Sequence, residues 1–326
     1  MTPTAGFEVL APGPLTLLQD DGRFGYLHRG LTIGGPLDRL SFDWANRLCG
    51  NRAGTAALEI TLGGLRLKAL VPTRIALTGA TAPVHINGRA ADTWRSHNLA
   101  PGDRLEIGTA TSGCRLYLAV AGGFQATGQF GSVAAVQRER LGGHSGGGAA
   151  LAAGDRLFCA PVEPDRCFAV PAELRPPCGG SAILHMIPCL DSRRLLRSLR
   201  RQLFAQEYRV SSACDRMGYR LEGMGCRLEG EALSHSTAAL LSAGLVLGTV
   251  QLPPDGQPIV LMNDHQTIGG YPKAGVVASG DLRLLAQLRP GETVRFRPVT
   301  PDGSLNLAKR QWRAYERACP RVCQPV

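Results

Sequence analysis

At 326 residues the chain is long enough for two domains of ordinary size, each able to bury its own core. Forty-one glycines and 22 prolines, with short apolar runs between them, favour many turns and strands over long helices. The excess of 36 Lys and Arg over 26 Asp and Glu gives +10, which raises affinity for anions in general without choosing among nucleic acid, nucleotide phosphate, a carboxylate substrate or an acidic partner. Residues 1–13 lack the basic start and apolar core of a signal peptide, and no apolar run reaches the ~18 residues of a membrane span, so a soluble cytoplasmic protein is expected. Ten scattered cysteines without a secretion signal are expected to be mostly reduced and buried. Cys319 and Cys323 share a spacing of four but have no second close pair, and no metal is expected there.

In chain order, strands are expected at residues 14–18, 74–77, 84–86, 115–120, 182–187, 245–252 and 259–262. A first helix is expected to start at Pro36, bury Leu37, Leu40, Trp44, Ala45 and Leu48, turn Asp38, Arg39, Asp43 and Arg47 outward, and stop at Gly50. Residues 99–107 (LAPGDRLEI), 151–158 (LAAGDRLF) and 288–296 (LRPGETVRF) read alike, each a tight glycine turn followed by an alternating strand. Such units suit barrels or sandwiches, whether by duplication or because this turn recurs in β proteins. Residues 160–180 carry five prolines with little apolar periodicity and are the expected linker, which places domains at 1–170 and 171–326. A second helix is expected from an N-cap at Asp191 or Ser192, burying Leu195, Leu196, Leu199 and Leu203 and displaying Arg193, Arg194, Arg197, Arg200 and Arg201. No nucleic-acid-binding motif accompanies that basic face, so an acidic partner subunit is expected rather than nucleic acid or a membrane. From Asn306 onward the basic sequence reads as a surface helix or tail.

The richest chemistry lies in residues 260–273 (VLMNDHQTIGGYPK), where a buried strand runs out into a loop of amide, carboxylate, imidazole, hydroxyl, phenol and amine groups. Gly269, Gly270 and Pro272 should stiffen this turn ahead of Lys273. His265 reads equally as a structural imidazole or a functional one. In residues 211–222, Asp215 and Arg216 are adjacent and so point apart in an extended strand, each seeking another partner. They form either structural salt bridges or a ligand clamp, with Arg216 bidentate on an anion and Asp215 orienting it or taking a proton. Residues 143–147 match G-x-S-x-G formally, but the following glycines open a helix too poorly for a nucleophile elbow, and a lid or surface loop is expected. Seven histidines show no metal-binding spacing.

Residues 34–51 (GGPLDRLSFDWANRLCGN) with Ala57, Leu58 and Glu59, then 117–124 (YLAVAGGF), 212–223 (SACDRMGYRLEG) and 251–258 (QLPPDGQP), follow one another in a familiar order. Together they resemble the biotin-dependent carboxyltransferase family related to allophanate hydrolase subunit 2, whose members include the C subunit of 5-oxoprolinase and the carboxyltransferase region of urea carboxylase. The resemblance runs from about residue 7 to 300. It implies a mainly β protein with a few helices and two cyclophilin-like β-barrel domains. It also implies work beside a carboxyltransferase partner like the family's B subunit and beside a third subunit, on a small cyclic amide or urea-like substrate. ATP enters at the level of the complex, or carboxybiotin if the reaction is carboxyl transfer; the chain lacks the Ala-Met-Lys-Met sequence that would carry covalent biotin. The sequence departs from the family after Ser132, where Val133, Ala134, Ala135 and Val136 stand in place of a serine and threonine.

Taken with the clustering of residues, the resemblance implies a site in which Lys273 and Arg216 hold anionic groups and Gln266 and Asn263 orient the amide, with Thr267 and Tyr219 beside them. Tyr271, Asp215 or His265 would move the proton. The expected activity is ATP-dependent opening of 5-oxo-L-proline, with biotin-dependent carboxyl transfer and a non-catalytic regulatory binding module as the alternatives.

Overall fold

The computed structural model describes residues 5–189, 197–224 and 241–323. It is mainly β, and the chain divides into two compact units, the first comprising Met1–Phe24, Ile33–Cys178 and Ala318–Val326 and the second Gly25–Thr32 and Gly179–Arg317. The division between the units therefore falls after Cys178 rather than at 170, and the last residues return to the first unit. Within the expected linker, Cys167–Ala169 is a strand, paired on one side with Arg321–Cys323 and on the other with Arg95.

The strands of the first unit form two antiparallel sheets among the described residues. One runs Arg156–Phe158, Ala5–Pro12, Leu65–Ala69, Arg104–Ile107, Val84–Ile86 and Arg89–Ala90. The other runs Leu15–Gln19, Ala57–Thr61, Ser112–Val120, Thr73–Thr81, Arg95–Leu99, Cys167–Ala169 and Arg321–Cys323. Phe7, Val9, Leu65, Leu67 and Leu105 of the first and Leu58, Ile60, Ile75, Leu77, Leu116 and Leu118 of the second join in one apolar cluster, so the sheets pack face to face. Strand alternation sends the residues between these to the opposite face. There Glu59 and Tyr117 meet the start of the helix Arg39–Leu48. The Tyr117 hydroxyl donates to Glu59 Oε2 at 2.7 Å, and the amides of Asp38 and Leu37 donate to the Tyr117 oxygen at 2.7 Å and to Glu59 Oε2 at 2.8 Å. Burial, reinforced by the Glu59 and Asp38 carboxylates, pushes the Tyr117 phenol well above its ordinary value and keeps its proton in place.

That helix begins three residues later than Pro36 because Asp38 is its cap, accepting from the Ser41 amide at 3.1 Å and the Ser41 hydroxyl at 2.6 Å. Two of the four residues expected to face outward are buried, Asp38 as the cap and Asp43 beneath Arg39. Arg39 Nε donates to both Asp43 oxygens, at 2.9 and 2.8 Å, and its Nη2 meets Asp21 Oδ1 at 2.9 Å. Arg47 lies over the Trp44 ring at 5.2 Å.

The three look-alike turns share one construction. Asp103 accepts from the Ala100 amide, Asp155 from the Ala152 amide and Glu292 from the Arg289 amide, at 2.7, 2.7 and 2.8 Å. Gly102, Gly154 and Gly291 take φ of 96°, 89° and 90°, a region that strains any side-chain-bearing residue. The glycine-rich stretch at 142–148 is followed by no helix, and it packs on residues 133–136: a Cβ on Gly142 would stand 2.1 Å from the Ala134 carbonyl oxygen. Ala134, Ala135 and Val136 are fully buried, and the carbonyls of Ala134 and Ala135 accept from Arg23 and Gln19 at 2.6 and 2.9 Å. The divergent segment is thus an internal packing element of the first unit.

The second unit is a closed barrel in the order Ser181–Pro188, Lys273–Val277, Thr249–Gln251, Ile259–Leu261, Gly218–Glu222, Tyr208–Cys214 and Thr293–Pro298, closed by a parallel pairing of the last strand with the first. Residues 190–196, including the expected cap and the first arginines of the basic helix, lie outside the described residues; the helix Arg197–Ala205 is present, with Leu203 buried and Arg201 exposed. The basic C-terminal helix is Pro301–Arg317, without a buried residue. Among the described residues no helix is long and apolar enough to cross a membrane. Of the nine cysteines described, only Cys49, Cys114, Cys159 and Cys167 are buried.

Burial outweighs Arg39 at Asp43 and raises its pKa from 3.8 to about 6. A carboxyl that holds its proton more tightly folded than unfolded favours folding at low pH, and that contribution falls as pH rises through about 6. Relative to the wild type, Asp43→Asn should therefore gain stability between pH 4 and pH 7, by on the order of 3 kcal/mol. Urea unfolding at both pH values measures this, and parallel curves would contradict it.

Candidate functional site

Alternation around the barrel decides which expected residues can form a site. Tyr219, Val260 and Val250 stand opposite one another in register and point into the barrel, all with no exposure. Tyr219 is therefore a core residue, its hydroxyl donating to the Ala286 carbonyl at 3.4 Å, and it offers no contact to a ligand. The neighbouring row, Arg220, Ile259, Gln251 and Lys273, faces the other way. A register shift between Val250 and Gln251 sets Lys273 opposite Gln251, and bulges of this kind re-aim side chains beside functional sites.

Arg216 and Asp215 do point apart, and each has found a separate partner. Asp215 is exposed and makes the turn between Tyr208–Cys214 and Gly218–Glu222, its Oδ1 accepting from the amides of Met217 and Gly218 at 2.7 and 3.1 Å. Arg216 is buried and grips Asp264 with both arms of its fork, Nε to Oδ2 at 2.9 Å and Nη2 to Oδ1 at 2.8 Å. The Asp264 amide also donates to the Arg216 carbonyl at 2.8 Å, and the Met262 amide to the Met217 carbonyl at 2.9 Å. Side chain and backbone together weld the hairpin that follows Ile259–Leu261 to this turn. The Arg216 fork, expected to clamp a ligand, is filled by a carboxylate of its own chain.

On that weld sit the remaining expected groups. His265 is 1% exposed, and its Nδ1 lies 2.6 Å from the Gln266 carbonyl oxygen. A carbonyl only accepts, so Nδ1 carries a proton and Nε2 is the basic nitrogen of the neutral ring. The Gln266 carboxamide donates to Gln251 Oε1 at 3.4 Å, and the Thr267 carbonyl accepts from the Leu245 amide at 2.9 Å. Asn263, Gln266, Thr267 and Lys273 are half-buried, whereas Tyr271 is 47% exposed. The structure thus joins Gln266 to Gln251 opposite Lys273, and seats His265 beside the Arg216–Asp264 pair.

Sequence reasoning missed Gln251 and Asp264. Each had a signal. Asp264 is the one carboxylate inside the polar run after Met262, and Gln251 is a lone amide ending an apolar strand.

The chain belongs to the family described as carboxyltransferase domain, subdomain A and B, whose model matches residues 29–298. The 5-oxoprolinase C subunit of Escherichia coli is 33% identical over 317 residues, covering 97% of this chain and 98% of the relative. The solved K. lactis urea amidolyase is 29% identical with a TM-score of 0.84, covering 97% of this chain but 20% of that one. The solved TTHA0988 protein is 35% identical with a TM-score of 0.77, and the match covers 90% of this chain and 55% of that one. The match covers nearly all of the E. coli subunit but only part of the two larger solved chains.

Removing one member of a buried ion pair strands the other without water or partner, at a cost of about 3–5 kcal/mol. Asp264→Ala should lose stability of that size in urea unfolding. Replacing both, as Arg216→Met with Asp264→Leu, should recover most of it; a double variant as unstable as the single one would contradict the ion-pair account.

Proposed function

We propose that this chain is the C subunit of an ATP-dependent 5-oxoprolinase complex, which opens 5-oxo-L-proline to L-glutamate together with a carboxyltransferase partner of the B type and a third subunit. The observation that carries this reading is the end-to-end match with the C subunit of E. coli 5-oxoprolinase, which leaves almost nothing of either chain over. The net reaction consumes one ATP and two waters and yields glutamate, ADP and phosphate. ATP is bound at the level of the complex.

Opening a lactam breaks its C–N bond after addition to the carbonyl carbon, so negative charge develops on the carbonyl oxygen and the departing nitrogen needs a proton. Lys273 supplies a cation for the developing charge or for the substrate carboxylate. The carboxamides of Gln266 and Asn263 present both donors and acceptors, as a planar amide requires. His265 moves the proton, with the exposed Tyr271 as the second candidate. Arg216 acts through Asp264, by holding the hairpin that carries these groups.

A second reading is biotin-dependent carboxyl transfer to a urea-like amide, favoured by the likeness to the K. lactis urea amidolyase. Carboxybiotin would then supply an activated carboxyl group from another polypeptide. The same Gln266 and Lys273 would orient the acceptor amide.

The complex copurified with its natural partners should release glutamate from 5-oxo-L-proline only when ATP is present, and avidin should leave the rate unchanged. Lys273→Met should abolish turnover while the subunit still folds and assembles. Avidin-sensitive activity would move the assignment to carboxyl transfer, and full turnover by the Lys273 variant would remove that residue from the site.

A further inference from the structure

Cys167 and Cys323 stand directly opposite each other in the antiparallel pairing of Cys167–Ala169 with Arg321–Cys323. Facing residues of such a pair send their side chains to the same side of the sheet, with Cα atoms about 4.5–5.5 Å apart. That separation lies inside the span of about 4.4–6.8 Å that a disulfide bridges, but the Cβ atoms start about 4.5–5.5 Å apart and must close toward ~3.8 Å. A bridge at this position is therefore sterically open and somewhat strained. Strained disulfides are the readily reduced ones.

The two thiols differ in access. Cys167 is 2% exposed, whereas Cys323 is half-buried. Burial raises the Cys323 thiol above its ordinary pKa; Arg95 opposes this and the neighbouring Cys167 adds to it, so the two sulfurs lie within each other's electrostatic reach. Asn98 Nδ2 donates to Cys167 Sγ at 3.7 Å, a long bond to a weak acceptor that rotation about the Cα–Cβ bond gives up at little cost.

The place of the pair in the fold gives such a bond a task. Arg321–Cys323 is the outermost strand of the seven-stranded sheet and has a neighbour on one side only, Cys167–Ala169. Its attachments among the described residues are three facing pairs and an exposed contact from Arg321 to Glu173 at 3.3 Å, and exposed ion pairs contribute little. A short terminal strand held in this way frays readily.

We propose that Cys167 and Cys323 form a reversible disulfide that locks the C-terminal strand onto the sheet of the first unit under oxidising conditions. The oxidant is a low-molecular-weight disulfide of the glutathione type. Cys323, the more accessible, attacks one of its sulfurs as the thiolate and expels one small thiol; Cys167 then attacks the Cys323 sulfur and expels the second, the protons of both cysteines passing to the departing thiolates. Two protein thiols are oxidised to one disulfide, and one small disulfide is reduced to two thiols. The inference is independent of the activity proposed above.

For the test, the full-length subunit is brought to equilibrium with excess oxidised or excess reduced glutathione, its remaining thiols are alkylated, and its peptides are mapped by mass spectrometry without reduction. Amide hydrogen exchange is measured on the same samples. The oxidised sample should contain the Cys167–Cys323 linked peptide, the reduced sample should lack it, and amides of residues 167–169 and 321–323 should exchange at least roughly tenfold more slowly when oxidised. Cys323→Ser, at a half-buried position, should abolish both the link and the difference in exchange, while Cys319→Ser should preserve both. A mixed disulfide with glutathione remaining on Cys323, or a link from either cysteine to Cys319, would overturn the pairing. Equal exchange in the two states despite the link would overturn the lock.

Discussion

The second unit's candidate site depends on one buried ion pair. Arg216 and Asp264 are each about 95% removed from solvent, and neither charge is tolerable there alone. Their mutual geometry answers that cost, with two parallel N–H···O bonds and a backbone bond between the same residues. Lysine could not replace this arrangement, because a single ammonium cannot span both carboxylate oxygens in a fixed plane. The consequence is positional. The hairpin after Ile259–Leu261 has few apolar side chains of its own, yet His265 and Gln266 leave the weld in defined directions because Asp264 is held on two sides. A site made of loop residues gains the precision of a strand.

The first unit solves a related problem differently. Its strands put apolar residues on the face between the sheets, and Glu59 and Tyr117 on the face toward the helix Arg39–Leu48. A buried carboxylate is held there by one phenol and by an amide at the approach to the helix, where partial positive charge accumulates. Neutral donors meet the Glu59 carboxylate, while the neighbouring Asp38 carboxylate caps the helix. Such networks specify a unique arrangement when every member is satisfied. They also explain why the segment before the helix is rich in glycine and proline. Its backbone must approach the sheet closely enough for amides, not side chains, to reach Glu59.

What could be read in the sequence was what local chemistry decides. The three glycine turns, the presence of the first helix and the β-rich class all follow from short-range rules, and the structure realises each turn with the same acid-to-amide bond. The inward or outward direction of single polar residues was not legible. Asp43 and Asp38 look like solvated helix residues until the sheet that covers them is known. Tyr219 and Asp215 lie near Arg216 along the chain, yet alternation sends Tyr219 into the barrel and a turn leaves Asp215 outside. The partner of Arg216 lies 48 residues away, beyond any local pattern. In the divergent segment at 133–136, side-chain type gives no hint that the structure uses its buried backbone carbonyls as acceptors for Arg23 and Gln19.

Gln251 illustrates why polar residues in a β protein should be divided by what satisfies them. Thr78, Asn46 and Gln19 are as deeply buried, and each spends its donor on a carbonyl of its own unit, so that folding accounts for them. Arg216 is accounted for in the same way by Asp264. Gln251 differs in having only its acceptor engaged, by Gln266 at 3.4 Å, on a strand whose register has been shifted to bring a lysine opposite. Glycine at 269 is fixed by packing, because a Cβ there would stand 2.8 Å from Leu245 Cδ1 and 2.9 Å from Gln251 Nε2.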